Sequence, residues 1–455
     1  MSVPPPKETR PPLPGGPFLV VGLARSGQAA ARMLAARGER VRGVDSGFPD
    51  GAAGLEGVGV EVFLDTDGVA QLEGTRTVVK SPGVPREAPV IAAARERGIE
   101  VLGELELAWR ALPNRFLAVT GTNGKTTTVE LLGHVYRGAG EPVAVAGNVG
   151  TPLSELVGEV EPDATVVCEC SSFQLEDTAH FGPECAVFLN LAPDHLDRHP
   201  DLESYLAAKL RIFANQGNDD VAVYNADDPF TQDVDLGGCA RRVAFCTGAG
   251  PECEVALAEG TIFYDGEPLI EAAELGLFGE HNVANAMAAA AAALSVGIER
   301  DAVREGLRSF AGVAHRLELV AEIGGARFVN DSMATNVASA VVGLRAFGGG
   351  VHAILGGSEK GETFAPLLDP VREACAACYL VGAAADRLAT ELAPAASAGV
   401  ELHRCADLAE AVHRAAEAAG AGQVVLLSPA CASFDAFENF ERRGERFREL
   451  VGELR

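Results

Sequence analysis

Short apolar runs, each followed by a glycine turn and then an amphipathic segment, recur along most of the chain. FLVVGLA from Phe18 reads as a strand, QAAARMLAARG as the helix after it and VRGVD as the next strand. That is a βαβ opening of the doubly wound kind. TVVKS adds a strand that ends at Ser81-Pro82-Gly83. After the linker ALPN at 111–114 the pattern restarts with Phe116-Leu117-Ala118-Val119, and PVAVAG, ATVVCEC, CAVFLN and DVAVYN follow with helical segments between them. An Ala-rich helix runs from about Asn282 to Leu294, and a third series, RFVND, HAILGG, CYLVG and QVVLLS, starts near residue 313. Such alternation predicts mostly parallel sheets. The expected fold class is therefore α/β in three domains: Rossmann-like over 17–104, a central P-loop domain over 105–312, and a second Rossmann-like α/β domain over 313–455. Residues 1–16, rich in proline and glycine, read as a disordered extension.

The second series carries the sharpest local signal. VTGTNGKTTT, residues 119–128, leaves a buried strand, turns over Gly121 and Gly124, and enters an amphipathic run at Val129, Leu131, Leu132 and Val135. The small side chains of Gly121, Thr122, Asn123 and Gly124 let backbone N–H groups and the positive end of the helix face a polyphosphate. Lys125 can reach the outer phosphates, Thr126 can hold Mg²⁺ through its hydroxyl, and Thr127 completes the loop. Val119 stands where the usual G-x-x-x-x-G-K-[ST] pattern has its first glycine. The loop implies a nucleotide and a metal ion, and says nothing of their use.

Charge and composition narrow the partners. A formal net charge of -27 argues against nucleic acid, which needs a basic face. It does not oppose a small anionic nucleotide, because charges beyond about 8 Å are largely screened while Lys125 and Mg²⁺ act at contact. No apolar stretch is long enough to span a membrane, and the N-terminus lacks the apolar centre of a secretory signal, so a cytoplasmic protein is expected. The ten cysteines fit free thiols in a reducing compartment, with Cys375 and Cys378 read as small buried hydrophobes.

Further constellations sit where strands end. Gly22-Leu-Ala24-Arg25-Ser26-Gly27 departs from G-x-G-x-x-G at Ala24, which disfavours a plain NAD site, and Asp45 ends the second strand where a ribose or base contact belongs. A Rossmann-like unit without a ligand fits the same residues. Glu169 ends ATVVCEC, where it would either hold a metal beside the phosphate loop or cap the helix starting near Ser171. Asn190-Leu-Ala-Pro-Asp194-His195-Leu-Asp197-Arg198-His199 offers histidines and carboxylates at a strand end, for a second metal or a substrate. Lys209, flanked by Leu206, Leu210 and Phe213, reads on spacing as a surface lysine. Asn282 and Asn285 would read an adenine edge or cap a helix.

Taken in order, TGTNGKTT, ECSSFQLE, DHLDRH, AAKLRI, GEHNVANAMAA, HRLE and NDSMATN resemble the Mur ligase superfamily, ATP-dependent amide ligases of peptidoglycan precursor synthesis. ECSSFQLE, YLAAKLRIF and LLSPACASFDAFENFERRGERF resemble its glutamate-adding branch, and the likeness runs from about residue 18 to the C-terminus. The resemblance implies that D-glutamate is added to UDP-N-acetylmuramoyl-L-alanine through an acyl phosphate, with ADP and phosphate released. It implies catalysis by Lys125, Glu169, His195 and Lys209, and two Mg²⁺ ions, one served by Thr126 and Glu169, the other by His195 and a carbamylated Lys209. ATP would further meet Asn282, Asn285, Arg316 and Asp331, the last two brought by closure of the C-terminal domain. Arg25, Ser26, Gly27, Asp45, Ser46 and Ser81 would line the uridine diphosphate site, with Asn148 and His195 on the muramoyl part. Thr335, Lys360, Ser433 and the backbone at Phe440 would hold glutamate, and a monomer is expected. Met333, Gly47 and Glu438 depart from the branch by replacing basic residues. The alternatives are a sibling ligase with another acceptor, L-glutamate included, or a nucleotide-binding module without ligase activity; a guanine-reading N-K-x-D is absent.

Overall fold

The computed structural model describes residues 7, 10–194, 198–232, 236–247, 253–277, 279–359 and 363–454. The chain forms two compact units, 1–310 and 311–455. Among the described residues the first unit contains two sheets and the second contains one.

The first sheet runs in the order Glu61–Phe63, Val41–Val44, Phe18–Val21, Thr77–Lys80, Glu100–Gly103, with every neighbouring pair parallel. Its order reverses between Phe18–Val21 and Thr77–Lys80, so the turns leaving these strands, at Gly22 and Ser81, flank one crevice. Both strands are buried on both faces; Phe18–Val21 accordingly reads as an unbroken apolar run, while Thr77–Lys80 ends on a buried lysine.

The second sheet has nine strands, ordered Glu267–Glu271, Thr261–Tyr264, Val255–Ala258, Arg241–Cys246, Val221–Asn225, Cys185–Phe188, Arg115–Thr120, Thr165–Glu169, Val143–Gly147. Only the hairpin strands at one edge are antiparallel. Arg115–Thr120 lies between Cys185–Phe188 and Thr165–Glu169, so three strand ends converge beside the phosphate loop. The Ala-rich helix, Glu280–Ser295, is fully buried from Ala286 to Ala293, with Met287 as the one long side chain in an otherwise methyl-lined run. The third sheet, ordered Glu318–Ile323, Ala326–Asn330, Val424–Leu427, Val351–Gly356, Cys375–Val381, Glu401–Arg404, is parallel except for its first pair. Among the described residues no helix is long and apolar enough to cross a membrane.

Two features go beyond the sequence reading. The first is Arg10, which the proline-rich composition does not single out. Its guanidinium lies 4.8 Å over Trp109 and 5.1 Å over Phe116, donates to the carbonyls of Trp109, Leu112 and Asn114, and pairs with Glu184 at 3.5 Å. Lys7 adds a 2.9 Å pair with Asp220. A proline-rich composition hides this because two basic side chains supply these ties, and their partners come from far along the chain, in the linker near residue 112 and the second sheet. Arg10→Ala should therefore cost about 1–3 kcal/mol, since hydrogen bonds to a charged group are lost and carbonyls are left buried. Urea denaturation checks this, and no shift in the midpoint would show that the arm is idle. The cysteines are the second case: Cys246 and Cys253 are joined in a disulfide, with Cα atoms 6.1 Å apart.

Candidate active site

The phosphate loop departs from the buried strand Arg115–Thr120 and enters the helix Lys125–Gly138. Gly124 has φ 84°, and a Cβ there would sit 2.1 Å from Oδ1 of Asn285, so both conformation and space require glycine. Val119 lies inside the strand, paired with Glu169 and Val187, so this loop starts later than the usual pattern. Asn190 braces it. Its carbonyl accepts from the N–H of Thr122 (2.9 Å), and its side chain exchanges hydrogen bonds with the backbone of Asn123 (2.9 and 3.1 Å). Lys125 folds back to donate to the carbonyls of Gly121 (3.0 Å) and Thr122 (2.8 Å).

At the neighbouring strand end the Thr126 hydroxyl donates to Oε2 of Glu169 at 2.8 Å, and Nδ2 of Asn148 donates to Oε1 at 3.0 Å. Glu169 is 3 % exposed. It caps nothing: the short helix Ser172–Leu175 is capped by Ser171 in a capping box with Gln174. A hydroxyl and a carboxylate facing one point suit a hard cation such as Mg²⁺. Among the described residues no three His, Cys, Asp or Glu side chains gather around one point, so such an ion would draw its other oxygens from nucleotide and water.

Lys209 overturns its surface reading. It is 1 % exposed, its Nζ donates to the Gly121 carbonyl at 2.7 Å, and it lies 4.4 Å over the ring of Tyr205. Burial, aided by the charge of Lys125, pushes its pKa down to about 6. That shift favours the uncharged, nucleophilic amine over the ammonium. His195 lies outside the described residues. Asn282 and Asn285 are buried and joined, Asn285 Nδ2 donating to Asn282 Oδ1 at 3.0 Å. The helix they begin has Gly279 as N-cap with no side-chain cap, which leaves the capping reading without support.

In the first sheet's crevice, Arg25, Ser26, Asp45, Ser46 and Ser81 line a cavity of about 630 Å³. Asp45 shapes it, accepting from the N–H of Leu23 (2.7 Å) and of Gly47 (2.9 Å). Ser81 donates to the Gly22 carbonyl at 2.7 Å. Gly27 serves packing, since a Cβ there would fall 1.8 Å from that same carbonyl oxygen. Arg25 reaches across to the carbonyl of Gly150 at 2.8 Å, in the turn that also carries Asn148.

In the second unit, Asp331 is buried, and that burial pushes its carboxyl up to about 7. It accepts from the Ser428 hydroxyl (2.7 Å) and the Leu317 N–H (3.2 Å). Arg316 sits between His315 (φ 62°) and Leu317 (φ 45°), a strained loop of the sort found at binding sites. Ser433 is buried, and Phe440 opens the helix Phe440–Glu453, whose N-terminal turn suits a carboxylate. The Thr335 N–H donates to the carbonyl of Met333 at 2.8 Å; Lys360 lies outside the described residues. Residue-by-residue reading passed over Tyr205, Ser428 and Arg443. Nothing local marks them, because their partners come from distant segments.

The chain can now be set beside known proteins. Residues 17–103 match the Mur ligase MurD-like N-terminal domain, 119–293 the Mur ligase middle domain, and 315–431 the Mur ligase glutamate ligase domain. The chain belongs to the Mur ligase family. UDP-N-acetylmuramoylalanine--D-glutamate ligase of Acidobacterium capsulatum is 42% identical over 450 residues, 96% of each chain. The protein of that name from Anaeromyxobacter dehalogenans is 44% identical over 468 residues, covering 97% of this chain and 99% of that one. Among solved structures, the UDP-N-acetylmuramate-alanine ligase of Thermotoga maritima aligns with a TM-score of 0.59 at 20% identity, over 96% of this chain and 99% of that one. A pseudomurein peptide ligase of Methanothermus fervidus aligns at 0.53 and 18% identity, over 96% of this chain and 100% of that one. At such identities these two speak for the Mur ligase fold alone.

Proposed function

We propose that this Mur ligase joins D-glutamate to UDP-N-acetylmuramoyl-L-alanine at the expense of ATP, as a cytoplasmic step of peptidoglycan precursor synthesis. The names of its full-length relatives point to that acceptor. The observation that carries the chemistry is one loop flanked by two unlike groups: the Thr126–Glu169 pair on one side and the buried, neutral Lys209 on the other.

A carboxylate oxygen of the muramoyl-L-alanine attacks the γ-phosphorus of ATP, and ADP leaves. The glutamate amine then attacks the acyl carbon, the bond to phosphate breaks, phosphate departs and the amine proton passes to solvent. The first step brings two anions together, and Lys125 with the N-terminus of its helix offsets that repulsion. Thr126 and Glu169 would hold one Mg²⁺; His195 and Lys209 would hold a second, with Lys209 carbamylated. Bound magnesium would neutralise charge between the phosphates and the attacking carboxylate. Asn282 and Asn285 would meet adenine, and Arg316 and Asp331 phosphate and ribose. Thr335, Lys360, Ser433 and Phe440 would take the two carboxylates of glutamate.

The test supplies UDP-muramoyl-L-alanine, ATP and Mg²⁺ with a panel of D-glutamate, L-glutamate, L-alanine and a diamino acid, and follows phosphate. Release that depends on D-glutamate is the expected result. Release with another acceptor alone would reassign the chain to a sibling activity, and no acceptor-dependent release would end the ligase reading.

A further inference from the structure

The turn that carries Ser81 is tied to segments of the second sheet's side at two places. Lys80, fully buried, donates to the carbonyl of Val84 at 2.8 Å while pairing with Asp177 at 2.7 Å. Arg198 donates to the carbonyl of Gly83 at 3.3 Å while its guanidinium lies 4.6 Å over the ring of Phe173. From that ring a packed column leads inward. Phe173 stacks on His199 with centroids 5.5 Å apart and planes 5° from parallel. His199 is 4 % exposed, shares a 3.0 Å hydrogen bond with Ser172 and meets the ring of Tyr205 at 5.1 Å. Tyr205 accepts from the Thr122 hydroxyl of the phosphate loop at 3.4 Å and lies beneath Lys209. Gly83 and Thr122 are thus the two ends of one continuous column.

We propose that Arg198 is a positioning residue that, through Phe173, His199 and Tyr205, sets the nucleotide-sugar crevice against the phosphate loop, so that filling either site tightens the other. This rests on the reading that the Ser81 crevice takes the nucleotide sugar. The two reactants are held by different sheets, yet the attacking oxygen must come within about 3–3.5 Å of phosphorus, and an error of about 1 Å can cost roughly 10²-fold in rate. A packed stack transmits such a displacement because interiors of this density do not deform smoothly. The position demands arginine. Only a planar guanidinium can lie on a ring and donate in its own plane at the same time, and lysine keeps the charge but loses the stack. Coupling of this kind is reciprocal by necessity.

The experiment titrates UDP-muramoyl-L-alanine calorimetrically into the full chain, with and without Mg²⁺ and a β,γ-imido analogue of ATP. The native protein is expected to bind the sugar nucleotide about 5-fold or more tightly when the analogue is present, the lower end of ordinary coupling. In Arg198→Lys and Phe173→Leu that ratio should fall to about one, while the analogue alone binds each variant as it binds the native chain. A purely structural role would weaken both ligands together and leave the ratio unchanged. A native ratio near one, or a native ratio retained in both variants, overturns the proposal. No binding of the sugar nucleotide to the native chain defeats the functional reading and this inference with it. Binding without coupling defeats the inference alone.

Discussion

Lys209→Ala is expected to lower kcat by about 10²–10³-fold, the loss typical when one preorganised group that stabilises developing charge is removed. Three observations point there. The amine is buried against the phosphate loop, it donates directly to the Gly121 carbonyl, and its pKa of about 6 leaves it neutral under working conditions. An ordinary lysine, with pKa near 10.4, is a cation and cannot add CO₂. Addition of CO₂ to a neutral amine gives a carbamate, converting a base into a carboxylate that can face a metal ion. The alanine variant removes that carboxylate while leaving Thr126 and Glu169 in place. Short exogenous carboxylates should then restore part of the lost turnover, because they can occupy the space of the missing group. Steady-state phosphate release measures the loss and the rescue. A ¹³C NMR spectrum of the native chain in labelled bicarbonate should show a carbamate resonance that is missing from the variant. Full activity in Lys209→Ala would remove the carbamate from the mechanism.

Lys209 also marks the limit of what the sequence discloses. Local chemistry is legible: the phosphate loop announces itself because turns need glycine, and Glu169 and Ser81 stand out because they end apolar strands. The doubly wound alternation is legible too, since buried parallel strands carry apolar stretches such as FLVV and the central valines of TVVK and TVVCE. What spacing hides is burial brought by segments far along the chain. Lys209 lies 88 residues from Gly121, and its apolar neighbours look the same on a surface helix. Only the resemblance to Mur ligases singled it out. Asn190 illustrates an intermediate case: the segment it opens stands out for its histidines and carboxylates, whereas Asn190 itself holds the backbone of the phosphate loop. Arg10 shows a further limit: composition gives no sign of the contacts that one side chain makes with Trp109 and its neighbours.

Arg443→Ala should destabilise the 311–455 unit strongly, by about 3–5 kcal/mol, since each buried carbonyl that loses its donor costs about 1–3 kcal/mol and the lost side chain leaves a void. The guanidinium is 3 % exposed, and burial pushes its pKa down to about 10, so it still carries its charge at neutral pH. Its Nε donates to the Ser332 hydroxyl at 3.0 Å. Its two terminal nitrogens donate to the carbonyls of Ser332, Cys431 and Ala432 at 3.0–3.2 Å. Alanine would take the guanidinium donors from the carbonyls of Ser332 and Cys431, while Ala432 keeps the Ser358 N–H at 2.9 Å, and would open a cavity as well. Arg443→Lys should recover a minority of the loss, because one ammonium cannot reproduce the planar fork that spans both segments. The same contacts tie Ser332, whose hydroxyl donates to the Phe440 carbonyl at 2.8 Å, to the 431–432 backbone that leads into Ser433. Loosening them should therefore raise KM for the amino-acid acceptor more than KM for ATP. Urea denaturation of native, alanine and lysine chains measures the first effect, and steady-state kinetics with each substrate varied measures the second. A loss under about 1 kcal/mol in the alanine variant would show that water replaces the fork without difficulty. Equal rises in both KM values would show that Arg443 supports the fold of this unit and does nothing particular for the acceptor.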